Sequence, residues 1–196
     1  GVDNAVLALD GPEPPIGDGS SLPYMQCIDE VGIVAQDAER RYFAPAKPIV
    51  HERGATSLVL LPCDTYRISC GVDFAWNDMD RQFCSLEITP DTFRRELGPA
   101  RTFCAYHEIE QLMLAGLIRG GSLDNACIVK DSYIFSKDGM RYTDEMVRHK
   151  TLDVVGDLSL AGVRLRAHAI CVKPGHDANV RMAQLIQQHL SEEVAP

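Results

Sequence analysis

The sequence lacks any long apolar run. The longest, LVLLP at 58–62, is strand-sized and far short of the ~20 residues that cross a bilayer. There is no basic run or arginine-rich arm, and the formal net charge is -9, which argues against a broad nucleic-acid surface. The seven cysteines (27, 63, 70, 84, 104, 127, 171) include no C-x-x-C pair and are odd in number. A disulfide framework or a zinc ribbon is therefore not expected, and the thiols read as small core residues of a cytoplasmic protein. No signal peptide, low-complexity tract or 20–50-residue repeat is visible. No methionine opens the chain: it starts GVDNAVLALDG.

What is present is an ordinary globular composition, 45% hydrophobic and 24% charged over 196 residues, enough for one large domain or two small ones. AVLALD (5–10) reads as a buried strand, broken by the Gly/Pro-rich 11–21. Ser21 is placed to cap a helix with Pro23 in its first turn, and Leu22, Met25, Cys27, Ile28 and Val31 are its expected buried residues. Short apolar runs with turns between them cover 41–89 and suit an antiparallel sheet. TPDTFRREL follows as a capped helical turn, with Thr89 or Asp91 as cap. AYHEIEQLMLAG then predicts a helix ending at Gly116, GGSLDNA a loop, and ACIVK and SYIFS two strands. TDEMVRHKTLDVVGDLSLAG predicts a long helix capped by Thr143 and closed at Gly162. VRLRAHAICVK is a strand, and the last helix carries an apolar stripe of Val180, Met182, Leu185, Ile186 and Leu190. The class is α+β, two-layer, with helices packed on one face of the sheets. Charge clusters at 37–43, where a domain boundary is expected.

The long helix carries His149, Lys150, Asp153 and Asp157 on roughly a quarter of its circumference. Apolar residues fill most of the rest. On pattern alone a solvated strip is the ordinary reading of such an arc. The alternative is metal ligation, because His and Asp one turn apart can reach one ion, although H-x-x-x-D supplies two ligands where a catalytic zinc takes three. In KPGHDAN, His176 stands where a strand turns into a helix, so it either faces a cleft or lies exposed in a first helical turn. His51, His107, His168 and His189 have no acidic partner at telling spacing and read as structural.

Taken together, ARTFCAYHEIEQL, GLIRGGSLDNACIV, RYTDEMVRHKTLDVVGDLSLAG and KPGHDAN, in this order and spacing, resemble the UDP-3-O-acyl-N-acetylglucosamine deacetylases. These are zinc enzymes of the committed step of lipid A synthesis in bacteria. GVDNAVLALDGPEPPIGDGSSLPYMQCIDEVGI is similar to the end of that family's first domain. The resemblance implies that His149 and Asp153 are two of three zinc ligands and that Asp157 steadies a catalytic histidine, His176. That histidine is cationic and protonates the departing amine. Lys150 contacts substrate, and the Thr102 hydroxyl helps stabilise the oxyanion. Phe103 and the following insert form an apolar passage for the acyl chain, with Ile109, Ile118, Gly121, Ser122, Ala126 and Ile128 as lining candidates. Iron(II) suits a His/carboxylate site as well as zinc.

In the family the third ligand, a histidine after a glutamate base, precedes the stretch matching Gly1. The resemblance therefore implies a remnant of a first domain (1–38) followed by a complete second domain (39–196). It also implies that this chain needs the missing N-terminal half of its own enzyme for turnover. Two other functions stand beside this one: a non-catalytic module that binds acyl chain and nucleotide sugar, and a metal hydrolase acting on another N-acyl sugar.

Overall fold

The computed structural model describes residues 1–74 and 81–194. Five strands make its central sheet: β2 (Ile49–Arg53), β3 (Thr56–Pro62), β4 (Tyr66–Asp73), β5 (Arg81–Glu87) and β10 (Ala167–Val172). They lie in the order β2-β3-β10-β4-β5. Alternation along these strands sends Ile49, Leu58, Leu60, Ile68, Cys70, Val72, Cys84, Ala167, Ala169 and Cys171 to one face. There they form a single buried cluster with Val147, Val154 and Leu158 of α4 (Glu145–Ser159) and Met182 and Ile186 of α5 (His176–Val194). Both helices thus pack on one face of the sheet. The opposite face keeps Val50, Phe83 and Val172 exposed.

The sheet is mixed rather than wholly antiparallel. β10 runs antiparallel to β3 and parallel to β4. The short link at 63–65 steps across the place that β10 fills, and strand order of this kind leaves no mark in local periodicity. Residues 75–80, between β4 and β5, lie outside the described residues. A second sheet, β6-β7-β8 (Phe103–Ala105, Cys127–Lys130, Tyr133–Phe135), contains a parallel β6–β7 pair, with α3 (Ile109–Leu114) in the crossover. A third is the short parallel pair of β1 (Tyr42–Phe43) and β9 (Arg164–Leu165), which buries Phe43. The arrangement is α+β, and no sheet of the described residues closes into a barrel.

Four local expectations are corrected. Residues 5–10 form no strand and are exposed; among the described residues no strand runs beside them, and an unpaired extended segment has no ladder to join. α1 (Leu22–Val31) forms, but none of its residues is fully buried: Leu22 and Met25 are half-buried, and Cys27, Ile28 and Val31 are exposed. Ser21 does not cap α1, because its hydroxyl donates to the Gly98 carbonyl and the Leu22 N–H goes to Ser20 Oγ. Thr143 does not cap α4; Asp144 stands at that position, and its carboxylate takes the Arg148 Nε instead. The Thr89 cap is present, as a reciprocal pair with Thr92 before α2 (Pro90–Thr92). All seven cysteines are free and four of them (70, 84, 127, 171) are buried.

The start of α4 is locked by an ion pair inside the protein. Arg101 and Glu145 side chains are 4% and 1% exposed and meet at 2.9 Å. Arg141 extends the lock, donating its N–H to Glu145 and its guanidinium to Asp18, Ser20 and the Pro99 carbonyl. Residues 17–21 are thereby laid across 98–102, helped by Thr102 N–H donating to Gly19 O. Gly19 has φ +81 and a Cβ there would lie 1.8 Å from the Asn125 carbonyl oxygen, so only glycine fits.

Burial alone would raise the Glu145 carboxyl, but hydrogen bonds from Arg101 outweigh it and hold the group below its ordinary 4.5. A depressed carboxyl stabilises the fold above its unfolded value, and that contribution is lost as pH falls through the folded value. Arg101→Met strands the buried carboxylate and should cost about 3–5 kcal/mol at neutral pH, a difference that shrinks on acidification. Urea melts of both proteins from pH 7 to pH 3 check this; a pH-independent difference contradicts it.

Candidate active site

α4 carries two registers at once. Val147, Val154 and Leu158 enter the core, as does Thr151, whose hydroxyl returns to the Val147 carbonyl. A second face carries His149, Asp153 and Asp157 at i,i+4 steps, which stack one above another along a helix. The turn between β10 and α5 then brings His176 against this face. That turn is tight: Lys173 holds φ +48, a left-handed conformation uncommon for a non-glycine residue and frequent near functional sites.

The geometry has two coupled pairs. His149 Nε2 lies 3.5 Å from Asp153 Oδ1, with the two side chains 12% and 10% exposed. His149 Nδ1 meets the Ala100 carbonyl oxygen at 3.0 Å. A carbonyl only accepts, so Nδ1 carries a proton, and Nε2 faces Asp153. Burial pushes the His149 pKa below the ordinary histidine value, against the raising effect of Asp153 and of the Ala100 bond. The second pair is His176 and Asp157, with Nδ1 donating to Oδ2 at 2.9 Å. His176 Nε2 is then 4.0 Å from Asp153 Oδ2, and the His176 side chain is 68% exposed. His149 sits inside, and His176 stands at the open edge.

Lys150 Nζ donates to Asp153 Oδ2 at 2.9 Å and lies 5.5 Å from the centre of the Phe103 ring. Phe103 meets the His149 ring edge-on at 6.2 Å and Phe74 at 5.2 Å. Thr102, next to Phe103, spends its N–H on Gly19 and its carbonyl on Cys127. The structure thus brings together His149, Lys150, Asp153, Asp157, His176 and Phe103, with Thr102 adjoining.

The insert residues form a separate group. Ile109, Ala126 and Ile128 are half-buried or better, and Ile118, Gly121 and Ser122 are exposed. Gly121 and Ser122 are tied within their own loop, by Gly121 N–H to Ile118 O and Ser122 N–H to Asn125 Oδ1. Around them Met113, Leu114, Leu117 and Leu123 present apolar side chains to solvent.

The sequence alone assigns no role to Asn179, the last residue of the KPGHDAN motif, or to Glu145. Asn179 is fully buried and donates Nδ2 to the same Asp157 oxygen that His176 uses. It stands three residues after His176, so an i,i+3 reading of the last helix would have found it. Glu145 stands four residues before His149 and begins the same polar ladder.

His149 and Asp153 fit a metal as a pair of ligands: an imidazole whose Nε2 faces a carboxylate and whose Nδ1 is held from behind by a carbonyl. Among the described residues no group of three His, Cys, Asp or Glu is placed to hold an ion. In the metal-free protein His149 should titrate below the ordinary histidine value, and Asp153→Asn should lower it further by removing a raising charge. An NMR titration of the ring protons measures both; an unchanged or higher value in the variant contradicts the arrangement.

The sequence profile of the UDP-3-O-acyl N-acetylglycosamine deacetylase family matches residues 1–188. The chain is 40% identical over 186 residues to the UDP-3-O-acyl-N-acetylglucosamine deacetylase of Syntrophotalea carbinolica, covering 95% of this chain and 60% of that protein. It is 41% identical over 190 residues to the enzyme of that name from Chlamydia felis, covering 96% and 68%. With the one from Brucella ovis it shares 40% over 196 residues, covering 100% and 68%. The chain therefore spans about 60% to 68% of the length of these curated relatives. On the profile match and these identities, the chain belongs to the UDP-3-O-acyl N-acetylglycosamine deacetylase family.

Proposed function

We propose that this chain is one side of a zinc-dependent amidase that removes the acetyl group from UDP-3-O-acyl-N-acetylglucosamine in bacterial lipid A synthesis. The observation that carries the reading is the meeting of two pairs at one place: His149–Asp153 inside and His176–Asp157 at the rim, with His176 Nε2 4.0 Å from Asp153. His149 and Asp153 would hold the ion, zinc or iron(II). When bound, the metal supplies Lewis acidity, which polarises an amide carbonyl and acidifies water.

The chain's own residues do the rest. Asp157 accepts a hydrogen bond from His176 Nδ1, which turns Nε2 toward the reacting centre. From there His176 stabilises developing negative charge and passes a proton to the departing amine nitrogen. Asn179 steadies Asp157 from behind. Lys150, held beside Asp153 and Phe103, offers a cation to the substrate, and Thr102 a hydroxyl to the oxyanion. Phe103 and the insert, with Ile109, Ile118, Gly121, Ser122, Ala126 and Ile128, take the acyl chain. The apolar side chains exposed around that loop support this role.

The same reading holds that the third ligand and the general base come from the part of the relatives' length that this chain does not span. It divides the chain into a remnant of a first domain, 1–38, and a second domain, 39–196. The exposed Val6, Leu7, Val31, Ile33 and Val34 are consistent with a neighbour that covers them. No helix among the described residues is long and apolar enough to cross a membrane. Separately, the free thiols lead us to place the enzyme in the cytoplasm. A second reading is a module that binds acyl chain and nucleotide sugar without turnover; among the described residues His149 and Asp153 are the ligand pair it would leave idle.

Calorimetric zinc titration and a deacetylase assay separate these readings. The expected result is weak zinc binding by the chain. His149→Ala or Asp153→Ala should reduce it by more than the ~10–100-fold typical of losing a residue behind a ligand. Turnover should require the polypeptide that supplies the remaining length. Equal zinc binding by the chain and both variants contradicts the metal site, and turnover by the chain alone contradicts the division of the site. In the completed enzyme, His176→Ala should lower kcat by about 10²–10⁴-fold with little change in KM. An unchanged kcat removes His176 from the chemistry.

A further inference from the structure

The polar ladder of α4 begins one turn before the residues given a chemical role. Glu145 is 1% exposed, yet its carboxylate is fully engaged. Oε1 accepts from the Arg101 N–H at 3.0 Å and Arg101 Nε at 2.9 Å. Oε2 accepts from Arg101 Nη2 at 3.2 Å and the Arg141 N–H at 2.7 Å. The guanidinium contacts neutralise charge. The bond to the Arg101 N–H does something else.

That N–H and the Ala100 carbonyl are opposite ends of one planar peptide unit. The N–H end is held by Glu145, and the carbonyl end accepts from His149 Nδ1 at 3.0 Å. One rigid peptide is therefore strung between two side chains four residues apart on the same helix. Once its N–H is anchored, the direction of its carbonyl follows. A carboxylate on the N–H also polarises the peptide and makes the carbonyl a stronger acceptor.

We propose that Glu145 is a positioning residue for His149, acting through the Ala100–Arg101 peptide to hold the imidazole in the Nδ1–H tautomer with Nε2 free toward Asp153. Its consequence for metal binding rests on the proposed function above; the tautomer itself requires no metal. A residue that served only to close an ion pair would need no bond to the backbone. Glu145 makes that bond with the same oxygen that takes Arg101 Nε.

The test uses the metal-free chain with labelled histidine, in which two-bond proton–nitrogen correlations report the His149 tautomer, alongside zinc titration. Wild type should show the Nδ1–H form. The double variant Glu145→Leu with Arg101→Met removes both charges together and strands neither. It should keep its fold, lose the single tautomer and bind zinc about 10–100-fold more weakly, the range seen when a residue behind a ligand is removed. Glu145→Gln keeps an acceptor of the same shape and should retain the tautomer and most of the affinity. If the double variant does not fold, Glu145→Asp serves instead. It preserves the charge pair with the flexible Arg101 side chain but falls short of the fixed N–H, and should mix the tautomers. Folded variants with an unchanged tautomer and unchanged zinc affinity overturn the proposal, as does a wild-type chain in the Nε2–H form. A wild-type chain in the Nδ1–H form that binds no zinc upholds the positioning and overturns only the metal reading.

Discussion

The Glu145 carboxylate is the constraint on which most of the surrounding structure depends. It lies at the first turn of α4, where a negative charge also meets the positive end of the helix dipole. Three of its four donors come from Arg101, 44 residues away at the entry to the insert, and the fourth is the Arg141 N–H in the approach to α4. Arg101 adds a bond to the Gly139 carbonyl, and Arg141 reaches Asp18, Ser20 and Pro99. One buried group thus fixes the start of the helix, the peptide behind His149 and the docking of residues 17–21. A buried ion pair contributes little net stability against an apolar replacement, but breaking one partner is costly. Here its value is geometric: it aligns backbone that an apolar contact would leave free to slide.

Above that anchor, α4 separates packing from chemistry by angle alone. The face with Val147, Thr151, Val154 and Leu158 is sealed against the sheet. The adjoining face carries Glu145, His149, Asp153 and Asp157 at four-residue steps, and exposure rises along it and onto the neighbouring helix. Glu145 is inaccessible, His149 and Asp153 are nearly so, and His176 is mostly open. The order suits the roles proposed. A metal ligand must be neutral with its lone pair free, and burial lowers the His149 pKa accordingly. A histidine that passes protons must be open to solvent, and His176 is so while Asp157 holds its far side.

Much of this is legible in the sequence. Helical geometry puts His149, Asp153 and Asp157 on one face because they are spaced i,i+4, and residues 173–179 read as a strand-to-helix turn. Pattern alone does not choose between ligands and a wet strip, since both give the same spacing; the set of motifs shared with the family favours the ligands. What the sequence hides is long-range. Nothing local marks the slot between β3 and β4 that β10 fills, or the exposure of residues 5–10 and of α1, which depends on what packs against them. Glu145 has the look of an ordinary first-turn acid. Its partners, Arg101 and the peptide behind His149, come from 44 residues away in the chain. The caps at Ser21 and Thr143 fail for a related reason: a tertiary partner draws the hydroxyl of Ser21 away, and Asp144 takes the position before α4.

In the function proposed, α4 and the turn before α5 assemble one metal-directed site from His149 and Asp153, with His176 beside it but not bound to the ion. Anomalous diffraction at the zinc edge from crystals of the zinc-loaded chain tests it most directly. The expected result is a single ion about 2.0–2.2 Å from His149 Nε2 and an Asp153 oxygen, with His176 still paired to Asp157. An ion elsewhere, or one that recruits His176 as a ligand and breaks its bond to Asp157, would contradict it.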